Sequence, residues 1–80
     1  MRLPRDISGR ELAKRLSRLG YAITRQTGSH IRLTTSECGE HHVTVPVHAF
    51  LRVGTLSTIL NDVAQHHGLT REELFSKLFG

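Results

Sequence analysis

Three short stretches in which polar and apolar side chains alternate with a period of two constrain the fold of this chain most. They are residues 21–26, 30–34 and 41–47. Successive side chains of a strand point to opposite faces, so this period predicts three β-strands that share one apolar face, with Tyr21 and Ile23 on it. Gly28-Ser29 predicts a tight turn after the first strand, and the polar residues 35–40 predict a second hairpin loop.

Amphipathic helical segments flank the three predicted strands. Ser8 and Glu11 fit a capping box before leucines that recur at helical spacing, and Gly20 suits a left-handed end to that helix. A second apolar helical pattern ends at Gly68, and another capping box at residues 70–73 begins a short third helix. The predicted order is therefore helix, three strands, helix and short helix.

An antiparallel sheet with one apolar face needs a cover, and two amphipathic helices supply it. We therefore expect an α+β two-layer sandwich. It has a three-stranded antiparallel sheet with the two main helices on one face and a short C-terminal helix, and its layout is close to that of a double-stranded-RNA-binding domain. Eighty residues make one domain, which we assign to residues 1–80.

The charge of the chain favours a polyanionic partner. Eleven basic residues against seven acidic ones give a formal net charge of +4, and nine of the eleven are arginine, whose planar fork suits phosphate. A small basic domain attracts nucleic acid, although a solvated basic surface without a partner has the same composition.

The single cysteine and the hydropathy pattern indicate the cellular compartment in which the chain is found. Cys38 alone makes neither an internal disulfide nor a cysteine-rich zinc site, which fits a reducing environment. No apolar run approaches the length of a membrane span, and the charged N-terminal residues do not resemble a signal peptide. The chain is therefore expected to be cytoplasmic and not to contact a membrane.

His30 is the candidate for proton-transfer chemistry. It follows the predicted glycine turn and shares the polar side of its strand with Arg32, while Ile31 faces the core. Cleavage of RNA needs a base for the ribose 2′-hydroxyl and an acid for the leaving oxygen, and histidine, with an ordinary pKa of about 6.5, performs either role. An exposed strand histidine with no chemical role remains the alternative, and the second proton transfer is unassigned.

The other histidines do not form a metal-binding pattern. Neighbouring residues of a strand or helix do not face each other, so the pairs His41-His42 and His66-His67 are not joint ligands, and no metal or cofactor is expected. We expect them to be polar surface residues, with His66 and His67 near the negative end of the second helix.

Further polar and basic side chains are candidates for RNA contacts. Gln26, Ser29 and Thr44 have side chains that suit a phosphate or a 2′-hydroxyl, and equally suit cross-strand and turn hydrogen bonds. Lys14 and Arg18 belong to the basic outer face of the first helix, which would attract RNA.

Five segments in a fixed order carry a resemblance to a known family. They are GY at 20–21, RQTGSH at 25–30, VTVPVH at 43–48, GTLSTIL at 54–60 and GL at 68–69. On these segments the chain resembles the HicA family of toxin ribonucleases from prokaryotic toxin–antitoxin pairs. The resemblance implies a double-stranded-RNA-binding-like fold, metal-independent cleavage of mRNA with His30 as the catalytic residue, and a HicB-type antitoxin that blocks the active face.

Two departures from the family pattern concern contacts. Ile31 follows His30 where many relatives have a histidine or an aromatic residue, and residues 49–53 are mostly apolar where relatives are often lysine-rich. This connector is therefore expected to pack on the core or to form part of a partner surface.

The leading hypothesis is a toxin endoribonuclease in which Arg25 and Arg32 help His30 by holding phosphate. Its partners are mRNA and a HicB-like antitoxin, with no DNA contact by this chain alone. The alternatives are a non-catalytic RNA-binding module of the same fold and a protein-interaction module with no RNA role.

Overall fold

The computed structural model describes residues 6–80. Residues 1–5 of the predicted domain lie outside it, and they include most of the N-terminal sequence that argued against a signal peptide. The helices are α1 (Gly9–Leu16, followed by a 3-10 turn at Ser17–Leu19), α2 (Val53–His67) and α3 (Arg71–Phe79). The strands are β1 (Ala22–Thr27), β2 (His30–Thr35) and β3 (His41–Pro46), which form an antiparallel sheet in the order β1-β2-β3. This element order confirms the predicted α+β fold.

Helix α1 begins and ends where the sequence indicated, but its N-terminal cap is simpler than predicted. The Ser8 hydroxyl accepts a hydrogen bond from the Glu11 backbone N–H (3.0 Å). The Glu11 carboxylate does not return the contact to Ser8; it accepts from Arg15 Nε (2.9 Å), one turn along the helix. The predicted capping box is therefore half formed. Gly20 follows in the left-handed region (φ 82°), as expected for the end of a helix.

The core lies between the helices and one face of the sheet. Alternate residues of β2 and β3 point inward, and leucines of all three helices cover them. The buried strand residues are Ile31, Leu33, Val43 and Val45, and the helical ones include Leu12, Leu16, Leu56, Leu60, Leu74 and Leu78. The burial pattern confirms the two-residue period of β2 and β3. It also leaves the even-numbered residues of β2, His30 among them, on the uncovered face.

Strand β1 is the exception to the predicted burial pattern. Tyr21 is buried just before the strand, but Ile23 remains 54 % exposed although it pairs with Leu33 of the core. The reason is positional, because α1 and α2 pack against β3 and leave β1 at the far edge of the sheet. The register also shifts between Ile23 and Arg25, an irregularity typical of edge strands.

A close backbone approach joins the start of α1 to the end of β3. A Cβ atom at Gly9 would lie 1.9 Å from the Pro46 carbonyl oxygen, and the Gly9 N–H donates to the His48 carbonyl (3.0 Å). Pro46 is the last residue of β3, an edge strand, where a residue without a backbone N–H is tolerated. Leu51 of the connector is buried, whereas Phe50 is 66 % exposed, so the apolar connector divides between core and surface.

The C-terminal half confirms the predicted helix boundaries. Gly68 ends α2 in the left-handed region (φ 65°). Thr70 and Glu73 form the complete capping box of α3, with a reciprocal bond from the Thr70 N–H to the Glu73 carboxylate (2.9 Å). At the other end of α3, Arg15 and Arg18 both donate to the Leu78 carbonyl (3.2 Å each), which places positive charge at the negative end of the helix dipole.

None of the helices within residues 6–80 combines the length and the apolar composition that crossing a membrane requires.

Candidate active site

A two-residue turn puts His30 at the first position of β2. Thr27 and His30 are paired across the β1–β2 hairpin, so Gly28 and Ser29 alone form its loop. Gly28 has a positive φ of 51° and Ser29 does not, the combination that a type II′ turn requires of its two central residues. This turn matches the right-handed twist of the two strands and fixes the backbone on both sides of His30.

The His30 side chain lies on the uncovered face of the sheet. Its neighbour Ile31 is fully buried, and His30 is exposed opposite Pro46 of β3. The nearest hydrogen-bonding contact of the ring is long, 3.4 Å from Nδ1 to the Ser29 hydroxyl. The imidazole is therefore held by its backbone position and is open to a bound molecule.

Two arginines are directly opposite each other beside His30. Arg25 of β1 pairs with Arg32 of β2, and Thr44 of β3 is on the other side of Arg32, so the three side chains form one row across the sheet. Within residues 6–80 neither guanidinium has a carboxylate at ion-pair distance. Like charges on directly opposed residues destabilise a sheet, and an anion bound between them removes that cost.

An open groove of about 580 Å³ continues from His30 to the start of α2. Its sheet side consists of His30, Thr44 and Pro46, and its helix side includes Gly54 and Thr55. No side chain caps the N-terminus of α2, so the backbone N–H groups of its first turn and the positive end of its dipole remain available. The groove thus adds hydrogen-bond donors to the positive charge of the arginine pair.

The predicted site residues divide into two groups. Ser29, Arg25 and Arg32 lie near His30 on the hairpin, whereas Gln26 pairs with Ile31 and therefore belongs to the opposite face. Lys14 is exposed on α1, which packs on that opposite face.

Arg18 has a structural role that the basic helix face did not indicate. Its guanidinium donates to the carbonyls of Lys77 and Leu78 (3.2 Å each) and reaches that of Gly80 (3.5 Å). These bonds occupy one end of the guanidinium and tie the 3-10 turn after α1 to the C-terminus of α3.

Sequence reasoning missed the contribution of α2 to the groove. The sequence did not indicate Gly54, Thr55 and Thr58 as site residues, because they are twenty-four or more positions from His30 along the chain. The available signal was the GTLSTIL segment, which carried the family resemblance without an assigned role.

A second cluster of polar residues joins β3 to the C-terminal turn of α2. His41 Nε2 donates to an Asp62 carboxylate oxygen (3.1 Å), since an ionised carboxylate only accepts. His41 Nδ1 then accepts from the Tyr21 hydroxyl (2.7 Å), and the Tyr21 oxygen accepts from His67 Nε2 (3.1 Å). The four side chains form one directed chain of hydrogen bonds around a buried tyrosine.

His66 completes this cluster from α2. Its ring stacks on that of His41 (centroids 4.3 Å apart, planes within 10°), and its Nε2 donates to the Glu37 and Gly39 carbonyls (3.0 Å each). His66 and His67 do lie in the last turn of α2, as predicted, but they are structural contacts instead of free surface groups. Within the described part of the chain, no three metal-ligating side chains are grouped.

We expect acid to weaken this cluster. Burial, and then the neighbouring His66, hold the pKa of His67 below its ordinary value of 6.5. The unfolded chain therefore binds more protons than the folded chain as the pH falls through 6.5, so the free energy of unfolding decreases in that range. Urea unfolding followed by circular dichroism between pH 8 and pH 5 measures this decrease.

A His67→Gln variant is the control for the pH dependence. It keeps a donor for the Tyr21 oxygen and cannot be protonated, so its stability is expected to fall less steeply with acid than that of the parent. Identical slopes in the two proteins would contradict the role assigned to His67.

Comparison with known proteins gives one family. The family model for the HicA toxin of bacterial toxin–antitoxin systems matches residues 9–64, from the first residue of α1 to near the end of α2. The matched part includes His30, the arginine pair and the α2 side of the groove. A search of the curated proteins finds no match.

Proposed function

Because the chain belongs to the HicA toxin family, whose members are toxins of bacterial toxin–antitoxin systems, we propose that it is an endoribonuclease that cleaves mRNA through His30 without a metal cofactor. The observation that carries the proposal is the arrangement on the uncovered face. The exposed imidazole of His30 lies two residues along β2 from Arg32, which is directly opposite Arg25.

The chemistry follows from the position of the imidazole. A neutral ring nitrogen of His30 takes the proton of a ribose 2′-hydroxyl, or a protonated ring supplies one to the leaving 5′-oxygen. In the first step the 2′-oxygen attacks phosphorus and the bond to the 5′-oxygen breaks. The products of that step are a 2′,3′-cyclic phosphate and a 5′-hydroxyl, and no redox partner or metal-bound water is required.

The arginine pair supports binding of the reacting phosphate. Arg25 and Arg32 offer planar donor forks whose mutual repulsion a phosphate relieves, and they favour the extra negative charge of the pentavalent transition state. The groove beside α2 then takes the adjoining part of the RNA strand, where Thr55 and the free N–H groups of the first turn meet another phosphate. Lys14 and Arg18 are far from this path and belong to long-range attraction of RNA.

Family membership implies an antitoxin partner, and we propose that a HicB-type antitoxin covers the uncovered face. Phe50 and Val53, at 66 % and 61 % exposed, are large apolar side chains at and just before the start of α2. A partner that buries them also closes the groove next to His30, because Val53 and Gly54 are adjacent residues. Binding of the antitoxin at these side chains would therefore also block access of RNA to His30.

Incubation of the purified protein with RNA in excess EDTA tests the function. We expect loss of full-length RNA on a denaturing gel and fragments that end in a cyclic phosphate, together with growth arrest when the chain is expressed alone. RNA that stays intact but shifts on a native gel, with binding that weakens steeply as salt rises, would favour the non-catalytic RNA-binding module. RNA that neither shifts nor breaks would favour the protein-interaction module.

A further inference from the structure

One histidine leaves one of the two proton transfers without a donor or acceptor, and a second imidazole on the His30 face would supply it. This inference rests on the proposed ribonuclease function. Two other histidines, His42 and His48, are exposed on the same side of the sheet or at its end. They differ in position along the strands, and this decides which of them lies near His30.

His42 is too far from His30 and is already engaged. It pairs with Thr34, four residues along β2 from His30, which corresponds to about 13 Å of strand. Both ring nitrogens have partners, since Nδ1 is 2.7 Å from the Thr34 hydroxyl and Nε2 is 2.8 Å from the Glu40 carboxylate. His42 therefore belongs to a surface hydrogen-bond network at the other end of the sheet.

His48 lies at the His30 end of the sheet. The Val47 N–H donates to the Ser29 carbonyl (2.7 Å), which adds one rung to the β2–β3 ladder beyond Pro46. Val47 packs against the core, so alternation continued past the end of β3 would direct the next side chain, that of His48, to the uncovered face. His48 is exposed, in agreement with that direction.

The register indicates how far apart the two histidine side chains leave the backbone. His30 is opposite Pro46, the last residue of β3, and His48 follows two residues later, beyond the Val47–Ser29 hydrogen bond. If the spacing of the sheet continues over these two residues, His48 is diagonal to His30, a position for which Cβ atoms are about 7–8 Å apart or slightly less. Two imidazoles at that separation can reach opposite sides of one phosphodiester group that lies over Pro46. The backbone of His48 is also held, because its carbonyl accepts from the Gly9 N–H (3.0 Å) and Val47 before it is on the ladder.

We propose that His48 is the second catalytic residue, which together with His30 brackets the scissile phosphate. One ring nitrogen of the pair accepts the 2′-hydroxyl proton as the 2′-oxygen–phosphorus bond forms. The protonated ring of the other histidine donates to the 5′-oxygen as the phosphorus–oxygen bond breaks, and the two rings exchange protonation states in the cycle. Atoms and protons balance without any further reactant.

The test compares His48→Ala, His30→Ala and the control His42→Ala on two RNA substrates. The first is ordinary RNA, and the second carries a 5′-bridging sulfur at one phosphodiester, from which a thiolate leaves without a proton. On ordinary RNA we expect the His30→Ala and His48→Ala variants each to cleave roughly 10²- to 10⁴-fold more slowly than the parent, and His42→Ala to match it. The sulfur substrate should restore the rate of one of the two slow variants, the one that lacks the acid, and not the other.

The outcomes separate the two proposals. If the parent leaves ordinary RNA intact, the ribonuclease function itself fails. If the parent cleaves and His48→Ala cleaves equally well, only the role of His48 is overturned. A purely structural role at His48 would slow cleavage of both substrates alike. If the sulfur substrate rescues both variants or neither, the division of acid and base between His30 and His48 is therefore wrong. Matching thermal unfolding of the His48→Ala and His42→Ala variants checks that folding is intact.

Discussion

A His30→Ala variant is expected to cleave RNA roughly 10²- to 10⁴-fold more slowly than the parent, the range over which a positioned proton-transfer group acts. The side chain is exposed and its ring makes one long contact, to the Ser29 hydroxyl, so its removal leaves the hairpin intact. The loss should therefore appear in the cleavage rate and not in stability. Single-turnover cleavage of an end-labelled RNA measures the rate directly.

Binding of RNA is the second measurement on the His30→Ala variant. Arg25 and Arg32 remain opposed on the sheet, so fluorescence anisotropy with a non-cleavable 2′-deoxy analogue of the RNA should give an affinity close to that of the parent. Unchanged binding with slow cleavage assigns His30 to the chemical step. A His30→Ala protein that cleaves at the parental rate would remove His30 from the mechanism.

Replacement of Gly9 by alanine is expected to lower the free energy of unfolding by about 1–3 kcal/mol, the usual cost of forcing an extra carbon into a packed site. The new Cβ would lie 1.9 Å from the Pro46 carbonyl oxygen and 2.9 Å from its carbonyl carbon, which are backbone atoms and cannot rotate away. Alanine is the better helix former by about 1 kcal/mol at most, in a helix interior, so the steric conflict at the first residue of α1 exceeds that gain. Chemical denaturation compares the two proteins.

Gly54→Ala is the matched control, because Gly54 also lies in the first turn of a helix. A Cβ there meets no atom within 4 Å, so this variant should be as stable as the parent or slightly more stable. Equal stability of Gly9→Ala and Gly54→Ala would show that the contact between α1 and Pro46 is not a constraint. Since the Gly9 N–H also holds the His48 carbonyl, the Gly9 variant should displace the connector beside His30.

Much of the fold was predictable because it depends on neighbours in sequence. The two-residue period of β2 and β3 placed Ile31 and Val45 inward and His30 outward, and the structure agrees. Gly20 and Gly68 end their helices with positive φ because a residue without Cβ adopts that conformation at little cost. Local patterns of this kind need no knowledge of what packs against them.

The same local reasoning failed where a distant partner decides the outcome. Ile23 has the correct alternation and is still exposed, because the helices pack over β3 and not over β1. Glu11 suited a capping box, but the Arg15 guanidinium competes successfully for its carboxylate. Arg18, assigned to the basic outer face of the first helix, also bonds to the end of α3, some sixty residues away, a contact that the local pattern did not indicate.

The sequence by itself determined the strands, the turn that precedes His30 and the face on which its imidazole lies, since each follows from backbone preferences over a few residues. The tertiary structure alone decided what surrounds that imidazole. Strand register set Arg25 against Arg32 and Pro46 against His30, and helix packing brought Gly54 to the groove. Register and packing depend on contacts between residues far apart in the chain, which no periodicity encodes.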